Sequence, residues 1–144
     1  VPEARMGIAQ GHFAHNRGAG RIAYVSRDDC AAVAAAVLTS DGHANRTYEI
    51  TGPHSYDPSS LAALYSRLGG RMVKPVAVDD AALIDAMVGG SEDGHARYGA
   101  QLVASFGRAV REGYLSACTD TVNQLTGKPA TALEAVLHAA LQTA

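Results

Sequence analysis

The chain has 144 residues, of which 47% are hydrophobic and 6% aromatic, and its formal net charge is −2. This length suits one domain or one large lobe, and the balanced charge, without a basic stripe, gives nucleic-acid binding no support. No apolar run approaches the ~18 residues that a membrane span needs, so we expect no membrane partner.

Alternation and helix caps predict a strand, a helix and a second strand early in the chain. The first 19 residues indicate only an opening helical turn and a loop. Residues 21–25 alternate polar and apolar side chains, which is typical of a half-buried strand. A helix over residues 29–40 follows, capped by a serine or aspartate between positions 26 and 29. Residues 47–52 form the second predicted strand, which a Gly-Pro pair ends.

The rest of the chain alternates helices with one more strand. Asp57 is a natural N-cap for a helix that starts at Pro58 and that a pair of glycines ends. Residues 71–80 hold a third strand, in which Pro75 marks an edge. Further helices are predicted over residues 81–88, 95–115 and 119–125, and after a capping-box pair, Thr131 and Glu134. Short strands separated by helices predict the α/β class.

The glycine-rich loops that hold nucleotide phosphates are absent. The nearest candidate, Asn-Arg-Gly-Ala-Gly-Arg at residues 16–21, precedes the predicted strand instead of following it, so its geometry is wrong for a phosphate loop. There is no Walker-type loop and no Gly-x-Ser-x-Gly elbow. None of the six tyrosines has a lysine four residues later. If a cofactor is bound, most of its binding comes from residues outside this sequence.

Two groups of polar residues are candidates for a site. His12 and His15 flank Phe13 with a spacing that a metal ion could use, but no cysteine or second histidine pair accompanies them. The three residues either line a pocket mouth or lie in a solvated loop. The charged corner at residues 27–29 is interpreted as a helix cap with an ion pair, with a cleft-facing Arg27 as the alternative.

The two cysteines, Cys30 and Cys118, are far apart in the sequence. Isolated thiols of this kind suit a reducing compartment better than a disulfide framework. The N-terminus also lacks the basic-then-apolar order of a signal peptide. We therefore expect a cytoplasmic protein.

Three segments, residues 20–38, 48–64 and 125–141, together resemble the C-terminal half of the NmrA-like atypical short-chain dehydrogenases/reductases, in particular their NAD(P)H:quinone oxidoreductases. The resemblance covers residues 17–141. The matching positions are Arg27, Asp29, Tyr48, Glu49, Gly52, Leu61, Ala62, Gly127, Pro129, Thr131 and Glu134.

The resemblance implies the C-terminal part of a Rossmann-like sheet with a small helical substrate lobe. It makes residues 1–144 a single lobe, without the N-terminal half whose glycine-rich loop holds NADP or NAD in this family. The segment before Gly-Ala-Gly-Arg would follow a central strand of the family. The residues then expected near the nicotinamide and the small-molecule substrate are Met6, His12, Phe13 and His15.

The function implied by the resemblance is the substrate-lobe portion of an NAD(P)H-dependent oxidoreductase that acts on quinone-like acceptors. Two alternatives stay open: a non-catalytic regulatory protein that senses the dinucleotide, and a stand-alone small hydrolase with a His/Ser cleft. A truncated lobe leaves sheet edges and an apolar face unpaired. We therefore expect either self-association or pairing with a missing N-terminal half.

Overall fold

A computed structural model describes residues 1–91 and 93–142 and divides the chain into two units. Unit 1 comprises Val1–Ile22 and Tyr56–Ser116, and unit 2 comprises Ala23–Ser55 and Ala117–Ala144. In chain order the elements are α1 (Pro2–Gln10), β1 (His12–His15), α2 (Arg27–Thr39), α3 (Pro58–Gly69), β2 (Lys74–Ala77), α4 (Asp80–Val88), α5 (Gly94–Arg111), α6 (Thr121–Thr126) and α7 (Leu133–Gln142). Helices combined with a parallel sheet confirm the predicted α/β class.

The sheet of unit 1 consists of β1 and β2, which run parallel and in register from His12 opposite Lys74 to His15 opposite Ala77. The helices α1 and α3 contact these strands, and Phe13 and His15 are buried on one face. The other face carries exposed side chains only, those of His12, Ala14, Lys74 and Val76. Parallel sheets are normally covered on both faces, so this sheet has one bare face in the part of the chain that the structure describes.

The helix α3 forms as its sequence predicts. The carboxylate of its N-cap, Asp57, accepts a hydrogen bond from the Ser60 N–H at 2.7 Å, and Pro58 occupies the first turn. The helix ends where Gly70 takes the left-handed conformation with a φ of 64°. Its apolar face, which includes Leu61 and Tyr65, is buried in the core of unit 1.

Unit 2 is built on α2, α6 and α7. The N-cap of α2 is Ser26, whose hydroxyl oxygen accepts from the Asp29 N–H at 2.9 Å. The helix α2 packs against α6. Its alanine-rich sequence buries little area, so the core of the unit depends on a few larger side chains, Val33, Val122 and Leu137.

The predicted strands over residues 21–25 and 47–52 are wrong. The first contributes only an isolated antiparallel bridge between Ile22 and Tyr56, and the second forms no strand. Alternation specifies an extended backbone, but a strand also needs a neighbour that completes its hydrogen-bonded ladder. Gly52 and Tyr24 come very close in unit 2, since a Cβ on Gly52 would lie 1.8 Å from the Tyr24 carbonyl oxygen, yet no ladder joins them.

The other predicted elements are confirmed, with shifted ends. The third strand is β2. The strand β1 lies in a segment for which the sequence predicts only a helical turn and a loop, so that prediction is wrong for residues 12–15. The helix predicted over residues 95–115 ends at Arg111, and α7 begins at Leu133. Thr131 is not the N-cap of α7, because the helix begins two residues later at Leu133, and the Thr131 N–H and hydroxyl donate to Asp29. None of the helices in the described ranges has the length and apolar character to cross a bilayer.

Candidate functional site

The carboxyl ends of β1 and β2 meet at one edge of the sheet, where Asn16 follows β1 and Asp80 begins α4. The Asn16 side chain is buried, and its amide donates to Asp80 Oδ1 at 2.7 Å and to the Ala104 carbonyl of α5 at 2.8 Å. Ligands of open α/β sheets bind in the crevice outside the carboxyl ends of the strands. This edge is therefore a candidate ligand-binding site.

Arg111, at the end of α5, completes the hydrogen-bond network of Asn16 and Asp80. Its guanidinium donates to both oxygens of Asp80, at 2.8 and 3.2 Å, and to the backbone carbonyl of Asn16. These bonds from Arg111, followed by the one from Asn16, lower the pKa of Asp80 to about 2. Asp80 is thus ionised at neutral pH, and the network anchors α5 over the strand ends without offering a proton donor.

Two glycines bring α5 close to this edge. A Cβ at Gly107 would lie 1.7 Å from Asn16 Oδ1, and a Cβ at Gly20 would lie 2.2 Å from the Val110 carbonyl oxygen. Gly20 belongs to the Gly-Ala-Gly loop considered above as a phosphate loop. Its contact with the α5 backbone gives that glycine a packing role.

The buried face of β1 brings two of the four predicted site residues together. The ring of Phe13 meets Tyr65 edge-on at 5.5 Å between centroids, and the His15 ring lies 5.9 Å from Phe13. Edge-to-face pairs of this kind stabilise by about 0.5–1.5 kcal/mol beyond their buried area. The packing holds both β1 rings in fixed orientations.

An ion pair borders these rings. The Tyr65 hydroxyl donates to Glu3 Oε1 at 3.0 Å, and the Arg17 guanidinium binds both oxygens of Glu3. The Arg17 backbone N–H also donates to His15 Nδ1 at 3.3 Å. This cluster of Glu3, His15, Arg17 and Tyr65 joins α1, the end of β1 and α3.

His15 is neutral in this setting. Burial, and then the nearby Arg17 charge, lower its pKa below the usual 6.5, while Glu3 opposes the shift. Because Nδ1 accepts from the Arg17 N–H, the proton of the neutral ring is on Nε2. The ring can therefore offer an N–H to a partner, and it resists taking up a second proton.

Met6 and His12 lie apart from this pair. Met6 is exposed on α1, and His12 points to the bare face of the sheet, with its Nδ1 3.3 Å from the Gln10 carbonyl. Strand alternation thus places His12 and His15 on opposite faces, which separates a pair whose spacing resembled a metal site. Among the described residues, no cluster of three histidine, cysteine, aspartate or glutamate side chains could hold a metal ion. Substrate binding by the four residues stays a prediction.

Sequence reasoning did not single out Glu3, Asn16, Arg17, Tyr65 or Arg111 as parts of a site. Their partners are 14 to 95 positions away in the chain, so no local spacing reveals them. The one signal available in the sequence is the pair of aspartates after β2, either of which could cap α4. Asp79 is the cap, accepting from the Ala82 N–H at 2.7 Å, which leaves Asp80 for the network.

In unit 2, two of the matched family positions, Asp29 and Thr131, bind each other. The Asp29 carboxylate accepts from the Thr131 N–H at 2.9 Å and from its hydroxyl at 3.1 Å. Burial opposes ionisation of Asp29, but hydrogen bonds from Thr131 and Ser26 together lower its pKa. The charged corner therefore joins the start of α2 to the segment before α7. Its interpretation as a helix cap is wrong for the aspartates, because Ser26 caps α2 and Asp29 binds Thr131 instead.

A cleft of about 300 Å³ lies in unit 2. Its size matches the lower end of small-molecule sites. Its lining contains no histidine or second carboxylate that could activate the Cys118 thiol, which is in no disulfide, as a nucleophile. The lining residues are Pro53, Cys118, Thr119, Asp120, Val122, Asn123, Pro129 and Ala130.

Ser40, His43 and Tyr48 form a hydrogen-bonded row that bears on the hydrolase alternative. The Ser40 hydroxyl donates to the Ala36 carbonyl at 2.6 Å, and Ser40 Oγ lies 2.9 Å from His43 Nε2. Because the Ser40 hydroxyl hydrogen points at the Ala36 carbonyl, His43 donates to Ser40 from its Nε2. The His43 Nδ1 then accepts from the Tyr48 hydroxyl, and these two atoms are 2.8 Å apart. A general base for Ser40 needs an unprotonated Nε2. The row therefore gives the hydrolase no support.

No protein-family profile matches the chain, but individual proteins do. It is 34% identical over 122 residues to NAD(P)H azoreductase of Xenophilus azovorans, covering 84% of this chain and 41% of the relative. Quinone oxidoreductase 2 of Escherichia coli is 31% identical over 140 residues, covering 96% and 48%. The chain thus spans about half the length of the curated relatives it matches.

Solved structures agree with these relatives. The crystal structure of the NADPH-dependent quinone oxidoreductase QOR2 from Escherichia coli, complexed with NADPH, matches 97% of this chain and 48% of that chain with a TM-score of 0.89 and 26% identity. Triphenylmethane reductase of a Citrobacter species matches 96% and 47%, with a TM-score of 0.84 and 26% identity. The chain is therefore similar over most of its length to NAD(P)H-dependent reductases, and these matches support the predicted resemblance to the C-terminal half of the NmrA-like atypical short-chain dehydrogenases/reductases.

Proposed function

We propose that this chain is the substrate-side half of an NAD(P)H-dependent reductase that acts on quinone-like acceptors. The observation that carries the proposal is the match over nearly its whole length to nicotinamide-dependent reductases, at 34% identity to an azoreductase and a TM-score of 0.89 to a quinone reductase complexed with NADPH. The matched part of each relative is its C-terminal half. The activity of the whole reductase therefore needs a second half that holds the cofactor.

The residues described in this chain do not fit a dinucleotide phosphate by themselves. The polar side chains at the strand ends already bind one another, since Asp80 accepts hydrogen bonds from both Asn16 and Arg111. Gly20, the closest glycine-loop candidate, packs on the α5 backbone. We assign NADP or NAD to the other half, where the nicotinamide would supply the hydride.

The bare face of the sheet supports this assignment. His12, Ala14, Lys74 and Val76 are all exposed there, although a parallel sheet normally has a second layer. A cofactor-binding half would supply that layer and complete the sheet. In its absence, a second copy of the chain would cover the same face by self-association.

The chain's own contribution to the reaction is to hold and shield the acceptor. His15, neutral and with its proton on Nε2, would donate a hydrogen bond to an acceptor oxygen or nitrogen, and Phe13 fixes the orientation of that ring. Met6 and His12 have exposed side chains away from this pair, and their contact with the acceptor stays a prediction. The two free cysteines agree with the proposed cytoplasmic location of such a reductase.

The test uses the full product of the gene that encodes this chain. Oxidation of NADPH and NADH is followed by absorbance with a 1,4-naphthoquinone and an azo dye as acceptors. Acceptor-dependent oxidation is the expected result. Dinucleotide binding without turnover would favour the sensing alternative, ester hydrolysis would favour the hydrolase, and a protein with none of these properties would overturn the proposal.

A further inference from the structure

The cleft of about 300 Å³ in unit 2 is lined by segments that hydrogen bonds hold in place. The Thr119 N–H donates to Thr51 Oγ1 at 2.7 Å, and the Thr119 hydroxyl donates to the Glu49 carbonyl at 2.8 Å. The segment before α7 is fixed by the two bonds from Thr131 to Asp29. The cleft is therefore formed before any ligand enters it, as is usual for small-molecule sites.

The helix α6 supplies the apolar part of the lining. Val122, in its first turn, is only 2% exposed, and its carbonyl accepts from the Thr126 hydroxyl at 2.7 Å. The helix ends at Gly127, which takes the left-handed conformation with a φ of 70°. Pro53 and Pro129 add two rings without a backbone N–H to the lining. Most of the cleft is thus apolar and has few groups that could move.

The Asp120 carboxylate is the only charged side chain in the lining. Asn123 Nδ2 donates to Asp120 Oδ2 at 3.2 Å. Within the described ranges, Asp120 Oδ1 and Asn123 Oδ1 accept no hydrogen bond, and Asp120 has no ion-pair partner. Lys128 is exposed, is not part of the lining and does not bind Asp120. The cleft therefore combines two available acceptor oxygens with apolar walls and lacks a cation of its own.

This combination selects the charge of the ligand. A protonated amine carries both a positive charge and several N–H donors, and its bonds to a carboxylate are charge-assisted. The negative charge of Asp120 would repel an anion, whereas a purely apolar molecule would leave both acceptor oxygens without a partner. The apolar walls favour a hydrocarbon part next to the ammonium group.

We infer that the cleft of unit 2 binds a small primary amine in its protonated form. The ammonium group donates to Asp120 and Asn123, and the hydrocarbon part packs against Val122 and the two proline rings. This binding goes beyond the proposed reductase activity and does not depend on it.

The test is titration calorimetry on the intact chain with benzylamine as the probe. Benzyl alcohol has the same ring without the charge, and benzoate has the opposite charge. We expect saturable binding of benzylamine with a dissociation constant below about 1 mM, which a ligand of this size can reach. Benzyl alcohol should bind at least about tenfold more weakly, and benzoate should give no saturable binding.

Asp120→Asn removes the charge and keeps the shape, and asparagine is as good an N-cap for α6 as aspartate. It should weaken benzylamine binding at least about tenfold. Ala130→Leu places a larger side chain in the lining and should abolish binding of both benzylamine and benzyl alcohol. Asp41→Asn is the matched control, because Asp41 is an exposed aspartate of unit 2 outside the lining.

The control should bind benzylamine as the unchanged chain does, and circular dichroism checks that each variant is folded. The inference is overturned if benzylamine shows no saturable binding, or if benzyl alcohol binds as tightly as the amine. Equal loss of affinity in the Asp41→Asn and Asp120→Asn variants also overturns it, since a general charge effect would then account for the binding. Undiminished binding by a folded Ala130→Leu chain would place the amine outside the cleft.

Discussion

Three consecutive residues at the carboxyl end of β1 each enter a different interaction. His15 lies beside the Phe13 ring, Asn16 binds Asp80 and Ala104, and Arg17 binds Glu3. Because the partners lie on α1, α4 and α5, this short stretch fixes three helices relative to the end of one strand. A substitution at any of these contacts should therefore lower the free energy of unfolding by more than the buried area of the residue alone predicts.

The contact between Asn16 and α5 leads to a stability prediction. Gly107→Ala places a Cβ 1.7 Å from Asn16 Oδ1, so the amide must move away from Asp80 and the Ala104 carbonyl. Overpacking together with a weakened buried hydrogen bond should lower the free energy of unfolding by about 2–4 kcal/mol. Urea denaturation followed by circular dichroism measures this loss.

Gly99 is a matched control on the same helix. A Cβ there meets no atom within 4 Å, so Gly99→Ala should leave stability unchanged or raise it by up to about 1 kcal/mol through helix propensity. If both substitutions have the same effect, the close approach of Gly107 to Asn16 does not exist in solution.

His15 leads to a prediction of pH dependence. Its folded pKa lies below the 6.5 of the unfolded chain, so between these values the unfolded state binds a proton that the folded state excludes. The stability contributed by neutral His15 is complete above pH 6.5 and is lost as the pH falls toward the folded pKa. His15→Gln should flatten the fall in unfolding free energy as the pH drops below about 6.5.

The exposed His12 provides the comparison for this pH effect. His12→Gln removes a histidine from the same strand without removing a buried group, so its stability profile should keep the slope of the unchanged chain. Equal slopes for the His15→Gln variant and the unchanged chain would show that His15 is solvated.

At the scale of single residues, the sequence predicts which residues form a group but not which side chains they contact. It identified His12, Phe13 and His15 as a group, but a loop and a strand give different neighbours, and only the strand places Phe13 and His15 on one side. The partners Glu3 and Tyr65 are brought in by α1 and α3. Such pairings depend on tertiary packing, for which no local signal exists.

At the scale of elements, helices were predictable because their signals are local. Ser26, Asp57, Asp79 and Asp93 each accept a hydrogen bond from a backbone N–H in the first turn of the helix that follows. A cap of this kind contributes about 0.5–2 kcal/mol and can be read from a few residues. Strands need a distant partner, which is why residues 47–52 were assigned wrongly and β1 was not assigned.

The bond between Asp29 and Thr131 is the element-scale contact that stabilises unit 2. It ties the first turn of α2 to the segment preceding α7, through two hydrogen bonds to an ionised carboxylate. Asp29→Ala should lower the free energy of unfolding by about 1–3 kcal/mol, as expected for bonds to a charged group. Thermal and urea denaturation measure the change.

Asp28 is the neighbouring control, an exposed carboxylate in the same helical turn. Its removal should cost at most about 1 kcal/mol through the helix dipole. A double-mutant cycle with Thr131→Val then isolates the coupling, and a coupling near zero would contradict the structural role of Asp29.

At the scale of the whole molecule, the parallel sheet has two strands and one covered face in the described residues. Two strands alone are marginally stable, and parallel sheets normally carry a layer on each face. Here α1 and α3 cover one face, and the other presents alternate residues of both strands to solvent. A chain that spans about half of its relatives' length accounts for such a face if the other half supplies the second layer.

The last prediction concerns that face. Val76 is 42% exposed on it, so Val76→Lys should change the thermal midpoint of the isolated chain by less than about 2 °C, as for an ordinary surface substitution. The substituted lysine would place a charge in the interface with any layer that covers the sheet. Natural sheets use charged residues in this way to prevent unwanted association. We expect at least tenfold weaker self-association in sedimentation velocity, and loss of NADPH binding in the full gene product.

Met72→Lys is the matched control, since Met72 is exposed, lies just before β2 and is not part of the sheet. It adds the same charge to the same segment and should leave association and NADPH binding unchanged. A large fall in the thermal midpoint of the Val76→Lys chain would mean that the chain itself covers this face. Unchanged association and NADPH binding in that variant would mean that no second layer is needed there.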